Sequence, residues 1–153
     1  MAETLGSLCD KLTIVKLKQW HSAGEGDRLA SLAVQETRLR EEIDEFVAAA
    51  ARGLIPPERL TFAANKVYKK EGNVVQAVTG HIGEVFAQLA AVNCALWHEQ
   101  EKVYEFERVP ADGKDAVVKQ LALLNLQRNE CIDRIDRALR DTVEAEARRH
   151  TNP

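Results

Sequence analysis

Two charged residues stand where the helical pattern of this sequence favours apolar side chains, and they are the first candidates for chemistry. Glu36 and Arg128 occupy seam positions in two amphipathic segments, among apolar residues spaced three and four apart. A buried charge without a partner costs several kcal/mol, so each must be paired or must reach solvent. Two interpretations stay open. One is an ion pair between them, with Asp10 as a second partner for Arg128, and the other is a polar cavity for a small anionic or sugar ligand.

Such a cavity would collect polar side chains from both ends of the chain. Its arginine would contribute the planar guanidinium that binds phosphate or carboxylate through two hydrogen bonds. No HExxH motif, ExxH pair or Gly-rich phosphate loop accompanies these residues. The sequence therefore predicts no cofactor and no catalytic set. The candidate ligand-binding residues are Asp10, Lys11, Glu36, Gln127, Arg128 and Asn129.

A Trp-His dipeptide occurs twice, as Trp20-His21 and as Trp97-His98. One interpretation is a histidine-carboxylate site, which requires the two pairs to converge. The other is structural, with each Trp packing at a helix end while His interacts with the last helical carbonyls. The pairs converge only if their helices run parallel, which the sequence does not decide. No metal site is predicted, and His21 and His98 would be the first ligands if one formed.

Four helices must position these residues. The spacing of apolar side chains predicts helices over residues 4–21, 27–53, 74–106 and 114–148. Gly80 and Gly83 weaken the first two turns of the third helix, so a kink or a late start there stays open. Thr4 and Asp27 are predicted N-caps, and Gly53 is a predicted C-terminal stop. Pro56-Pro57 interrupts the pattern, so short helical turns are expected in the connecting segment 54–73. A small basic cluster in that segment is expected to be a solvated surface: Lys66, Tyr68, Lys69 and Lys70.

The first and third predicted helices align without gaps. Their identical pairs are Gly6/Gly83, Leu12/Leu89, Val15/Val92, Trp20/Trp97 and His21/His98. This pattern predicts two homologous helical hairpins, pseudo-repeats 4–53 and 74–148, separated by the connector 54–73. One hairpin cannot cover its own apolar face, whereas two hairpins facing each other bury both. The expected fold is therefore a single all-α domain over residues 1–153, a four-helix bundle of two antiparallel hairpins.

Bulk composition narrows the class of protein further. The chain is 45% hydrophobic and 29% charged, which favours a folded domain. Its net charge of −3 argues against a nucleic-acid partner. The three cysteines form no CxxC motif, and no run of about 20 apolar residues or signal peptide is apparent. We therefore expect a cytoplasmic protein with no membrane partner.

Two stretches resemble the patterns of a bacterial all-helical family of unknown function. Residues 5–21, LGSLCDKLTIVKLKQWH, resemble its LGxLxDKLSIxNLKxWH pattern. Residues 124–136, LNLQRNECIDRID, resemble its LNxQRNxLIxxID pattern. Cys9 departs from the aliphatic residue of the first pattern. Members of that family sit near genes for surface polysaccharide or glycosyl transfer. The resemblance implies a helical fold and a bacterial cytoplasm, and it implies no activity.

The long seams and the missing catalytic set favour one function over another. We expect a non-enzymatic interaction or scaffold module that self-associates as a homo-oligomer or binds a protein partner. The alternative is a small-molecule-binding or metal-dependent enzyme that acts on a phosphorylated or sugar substrate, using the Arg128 region or the histidines.

Overall fold

Four α-helices dominate the computed structural model, which describes residues 3–62, 65, 75 and 77–151. They are α1 (Leu5–His21), α2 (Gly26–Ala51), α3 (Ile82–Tyr104) and α4 (Lys114–Thr151), and the described residues contain no strand. The all-α prediction is confirmed. Short 3-10 turns occur at Pro57–Arg59, Phe106–Arg108 and Ala111–Gly113. None of the described helices combines the length and hydropathy that a bilayer-spanning segment needs.

Local chemistry sets the ends of the first two helices. The Ser7 amide donates to Thr4 Oγ1 at 3.2 Å and the Thr4 amide donates to Ser7 Oγ at 2.9 Å, so the predicted N-cap of α1 is confirmed. The predicted N-cap Asp27 is wrong, because α2 begins one residue earlier and Asp27 lies in its first turn. Gly53 has a φ of +69° just after α2, which confirms the predicted stop.

The third helix makes the late start that its two glycines left open. It starts at Ile82 instead of residue 74, because Gly80 adopts a φ of +116° that a continuing right-handed helix excludes. The amide of His81 donates to Glu84 Oε2 at 2.9 Å and so closes the first turn. The predicted start at Val74 and the basic cluster Lys66, Tyr68, Lys69 and Lys70 lie outside the described residues.

Helix α1 lies at the centre of the packing, because it contacts α2, α3 and α4, whereas α2 packs mainly along α1. The main buried core is formed by Leu5, Cys9, Ala50, Leu60, Val85, Leu89, Cys131, Ile132, Ile135 and Leu139. A second buried cluster joins α1 to α2 and consists of Leu8, Val15, Leu32 and Leu39. The site described below lies beyond the main core, toward the C-terminal ends of α1 and α3.

A glycine allows α1 and α4 to approach closely. The Gly6 amide donates to Asp136 Oδ1 at 2.7 Å, and a Cβ on Gly6 would overlap the carbonyl oxygen of Ile132. Asp136 is itself buried, and burial raises its pKa to about 6 although hydrogen bonds from Gly6 and Thr4 act in the opposite direction. The contact therefore combines close backbone packing with a carboxyl group that is costly to ionise.

We expect Gly6→Ala to destabilise the protein by about 1–3 kcal/mol, because the new methyl group forces the two helices apart. Urea unfolding followed by circular dichroism measures the change. The matched control is Gly83→Ala, at the aligned position in α3, where nothing lies within 4 Å of the added Cβ. That control should be neutral or stabilising by up to about 1 kcal/mol. Equal losses in both variants would contradict the close α1–α4 contact.

The buried Asp136 predicts how stability depends on pH. Its folded pKa of about 6 exceeds the ordinary value of 3.8, so the folded state holds the proton more tightly. Its contribution to stability is full below about pH 4 and is lost as pH rises through 6. Relative to Asp136→Asn, the unfolding free energy of the native protein should fall by about 2 kcal/mol between pH 4 and pH 7. A difference that stays constant over this range in urea titrations would contradict the prediction.

Candidate functional site

The two Trp-His pairs meet at one end of the molecule. The ring of His21 stacks on the indole of Trp97, with centroids 4.6 Å apart and planes inclined by 12°. The His98 ring lies edge-on to His21, with centroids 6.3 Å apart. Contacts between α1 and α3 advance in the same direction along both helices, from Thr13 with Asn93 to His21 with Trp97. The helices therefore run parallel, and the pairs converge.

A carboxylate holds the α3 pair in place. Trp97 Nε1 donates to Glu101 Oε1 at 2.9 Å, and His98 Nδ1 lies 3.4 Å from Glu101 Oε2. The hydrogen bond from Trp97, followed by that from His98, lowers the pKa of Glu101 below its ordinary value. The carboxylate therefore restrains both rings against which His21 packs.

A groove of about 440 Å³ opens between α1 and α3 beside these rings. We call it the Trp-His groove, and its lining residues are Thr13, Lys16, Leu17, Trp20, His21, Ala90, Cys94 and His98. The lining is largely apolar. Trp20 lies on its rim with 81% of its surface exposed, although the helical pattern places it in the apolar seam of α1. An exposed indole of this size beside an apolar groove is a feature of interaction surfaces.

A buried polar network lies next to the groove and shares Thr13 with it. Asn93 Nδ2 donates to Asp10 Oδ1 at 2.9 Å and to Thr13 Oγ1 at 2.6 Å, and all three residues are buried. The Thr13 hydroxyl donates in turn to the carbonyl of Asp10 at 2.8 Å. Arg128 Nε lies 3.8 Å from Asp10 Oδ1 and is buried without a hydrogen bond. The network thus joins α1 to α3 and α4.

The structure separates the predicted pair. Arg128 lies beside Asp10, the second partner proposed for it. Glu36 instead accepts hydrogen bonds from Gln19 Nε2 at 2.9 Å and Lys16 Nζ at 3.2 Å, and these lower its pKa. Among the ion pairs of the described residues, none joins Glu36 to Arg128.

The other predicted ligand-binding residues do not line the Trp-His groove. Lys11 is exposed, pairs with Glu3 at 2.7 Å and lines a separate cavity of about 350 Å³ between α1 and α2. Gln127 and Asn129 are half-buried on α4, on either side of Arg128. The sequence therefore predicts the Asp10–Arg128 contact but not the groove. The repeated Trp-His dipeptide is the one sequence pattern that points to the groove. No pattern singles out the lining residues Lys16, Leu17, Ala90 and Cys94.

The convergence of His21 and His98 raises the question of metal binding. Within the part of the chain that the structure describes, no three His, Cys, Asp or Glu side chains are arranged to hold a metal ion. The His21 ring is stacked on Trp97, and Nδ1 of His98 faces Glu101. The two histidines therefore act in this geometry as part of the groove wall.

No family model, curated protein or solved structure matches this chain.

The three free cysteines differ in exposure, which gives a direct probe of the groove. Cys94 is exposed in the groove, whereas Cys9 and Cys131 are buried, and burial raises the pKa of both buried thiols to about 11. The thiolate is the reactive form, so the buried thiols should react with a maleimide roughly 100-fold or more slowly at pH 7.

We therefore expect N-ethylmaleimide to modify one cysteine rapidly in the folded protein at high dilution, where the groove is unoccupied, with the adduct mapped to Cys94 by mass spectrometry. Cys94→Ser should abolish this fast phase, and urea should expose both remaining thiols. A fast phase that survives in Cys94→Ser would show that a second thiol is accessible and would contradict the assignment.

Proposed function

We propose that this protein is a helical interaction module whose Trp-His groove binds an apolar side chain presented by another protein chain. The proposal rests on one observation: the Trp20 side chain is 81% exposed on the rim of a largely apolar groove. Tryptophan is enriched among the residues that dominate binding energy at protein interfaces. Burying its apolar surface contributes about 25 cal/mol per Å². A protein surface that covers Trp20 would therefore gain substantial affinity.

Hydrogen-bonding partners within the groove favour an apolar occupant. The Thr13 hydroxyl is engaged with Asp10 and Asn93, and Lys16 is engaged with Glu36. His98 lies against Glu101. A sugar ring needs several convergent polar groups to replace its bonds to water. An aliphatic or aromatic side chain has no such need, because contact with Leu17, Ala90 and Trp20 is sufficient.

The proposal includes the architecture and location expected from the sequence. We take the four helices as a bundle of two related hairpins that is open between α1 and α3. Self-association within a bacterial cytoplasm is part of this proposal. A reducing cytoplasm would keep Cys94 as a free thiol in the groove.

The second candidate is a small-molecule-binding protein or metal-dependent enzyme with a phosphorylated or sugar substrate. It is favoured by the groove volume of about 440 Å³, which lies in the range of small-molecule sites. It is also favoured by the imidazoles of His21 and His98 in the groove wall. A thermal-shift panel of nucleotides and sugar phosphates distinguishes the candidates, because a ligand that binds only the native state must stabilise it. A rise of several degrees would support this second candidate.

A photo-crosslinking amino acid placed in the groove tests the interaction directly. We expect benzoylphenylalanine at Ala90, in the groove, to form an adduct with a protein when the chain is illuminated in its native host. The matched control is the same substitution at Ala91, the next residue of α3, which is exposed and outside the groove lining. A protein adduct at position 90 but not at position 91 supports the proposal. Equal adducts at both positions, or none at position 90, would contradict it.

A further inference from the structure

We infer that the occupant of the Trp-His groove is the Trp20 side chain of a second copy of this chain, exchanged reciprocally in a twofold dimer. This inference rests on the proposed function and names its partner. A twofold interface uses the same patch on both copies, so that patch must carry both the inserting side chain and the cavity that receives it. One face of this protein carries both the side chain and the cavity, because Trp20 is exposed on the rim of the groove and is one of its lining residues.

The shape of the groove suits an indole. Ala90 and Cys94, two small side chains one helical turn apart on α3, line the side opposite Leu17 of α1. A volume of about 440 Å³ accommodates a large aromatic side chain. Such a side chain buries roughly 150–250 Å² when it is fully covered. Reciprocal exchange would therefore cover two exposed indoles and fill two grooves with one symmetric contact.

Charge along the two helices supports pairing between identical copies. The accessible formal charges of α1 are all positive, since its one carboxylate, Asp10, is buried. Beyond the groove, α3 carries Glu101, which is exposed, on the helical face that it shares with Cys94 and His98. A twofold axis through the groove would lay α1 of one copy over α3 of the other. Helix α1, with three lysines and one carboxylate, would then face the partner's α3, with three glutamates and one lysine, and this pairing of opposite net charges occurs on both sides of the axis.

Sedimentation velocity of the purified chain over a range of concentrations tests the dimer. We expect a monomer–dimer equilibrium in the native protein and a dissociation constant at least about 30-fold weaker in Trp20→Ser. The matched control is Tyr104→Ser, because Tyr104 is 77% exposed on α3 but does not line the groove. The control should dimerise like the native protein.

A mixing experiment tests whether Trp20 and the groove meet across the dimer. Trp20→Ser lacks the inserting side chain but keeps the groove floor between Leu17, Ala90 and Cys94, whereas Ala90→Gln keeps Trp20 but narrows the groove. Each variant alone should remain monomeric, and an equimolar mixture should form a heterodimer through one intact Trp20–groove contact. Cys94 of the Trp20→Ser copy should then become protected from N-ethylmaleimide, but only in the mixture. Circular dichroism confirms that both variants fold.

Three results would overturn the inference. A native protein that stays monomeric with Cys94 reactive at every concentration would exclude the second copy as the occupant. A Trp20→Ser protein that dimerises as tightly as the native protein would place the contact elsewhere. A mixture that fails to associate would exclude reciprocal exchange. A crosslink from position 90 to a different protein would leave the proposed function standing in each case, so the two failures are distinguishable.

Discussion

The structure depends on the packing of α1, the short helix that contacts all three others. Buried hydrogen bonds fix its register against α3, because Asn93 must reach both Asp10 and Thr13. Unlike apolar contacts, such bonds are directional, and a shift of one residue would leave buried polar groups unpaired. Once this register is set with the helices parallel, the C-terminal ends of α1 and α3 lie side by side. His21, which lines the groove, then stacks on Trp97.

The sequence predicts the helices well because their ends are determined by local chemistry. The capping box at Thr4 and the left-handed Gly53 lie where capping rules place them. The late start of α3 shows the limit of periodicity, since apolar spacing continues through the left-handed Gly80, where no helix can form. Periodicity measures which side chains would share a face in a helix. It does not measure whether the backbone adopts one.

Tertiary geometry could not be predicted from the internal alignment. Gly6 and Gly83 are identical aligned residues, yet Gly6 packs against the backbone of Ile132 and Gly83 faces open space. Trp20 and Trp97 also differ, since Trp20 is exposed whereas Trp97 is half-buried, stacked on His21 and bonded to Glu101. A repeated residue type marks similar helices, but its environment depends on which neighbour covers it. Whether the Trp-His pairs converge depends on the relative direction of α1 and α3, which no local sequence pattern predicts.

The same reason explains why Glu36 does not meet Arg128. Its seam position required a partner or access to solvent, and Arg128 was one candidate partner. Helix α2 packs mainly along α1, however, and leaves Glu36 at that edge with Lys16 and Gln19. Lys16 and Trp20 lie in the continuation of the α1 seam, and both are exposed for the same reason. Closing α2 over this end would bury the Lys16–Glu36 pair, whose desolvation offsets much of its attraction. Keeping the pair hydrated therefore leaves Trp20 uncovered, and an apolar surface from another molecule can cover Trp20 while the charges stay at the solvated rim.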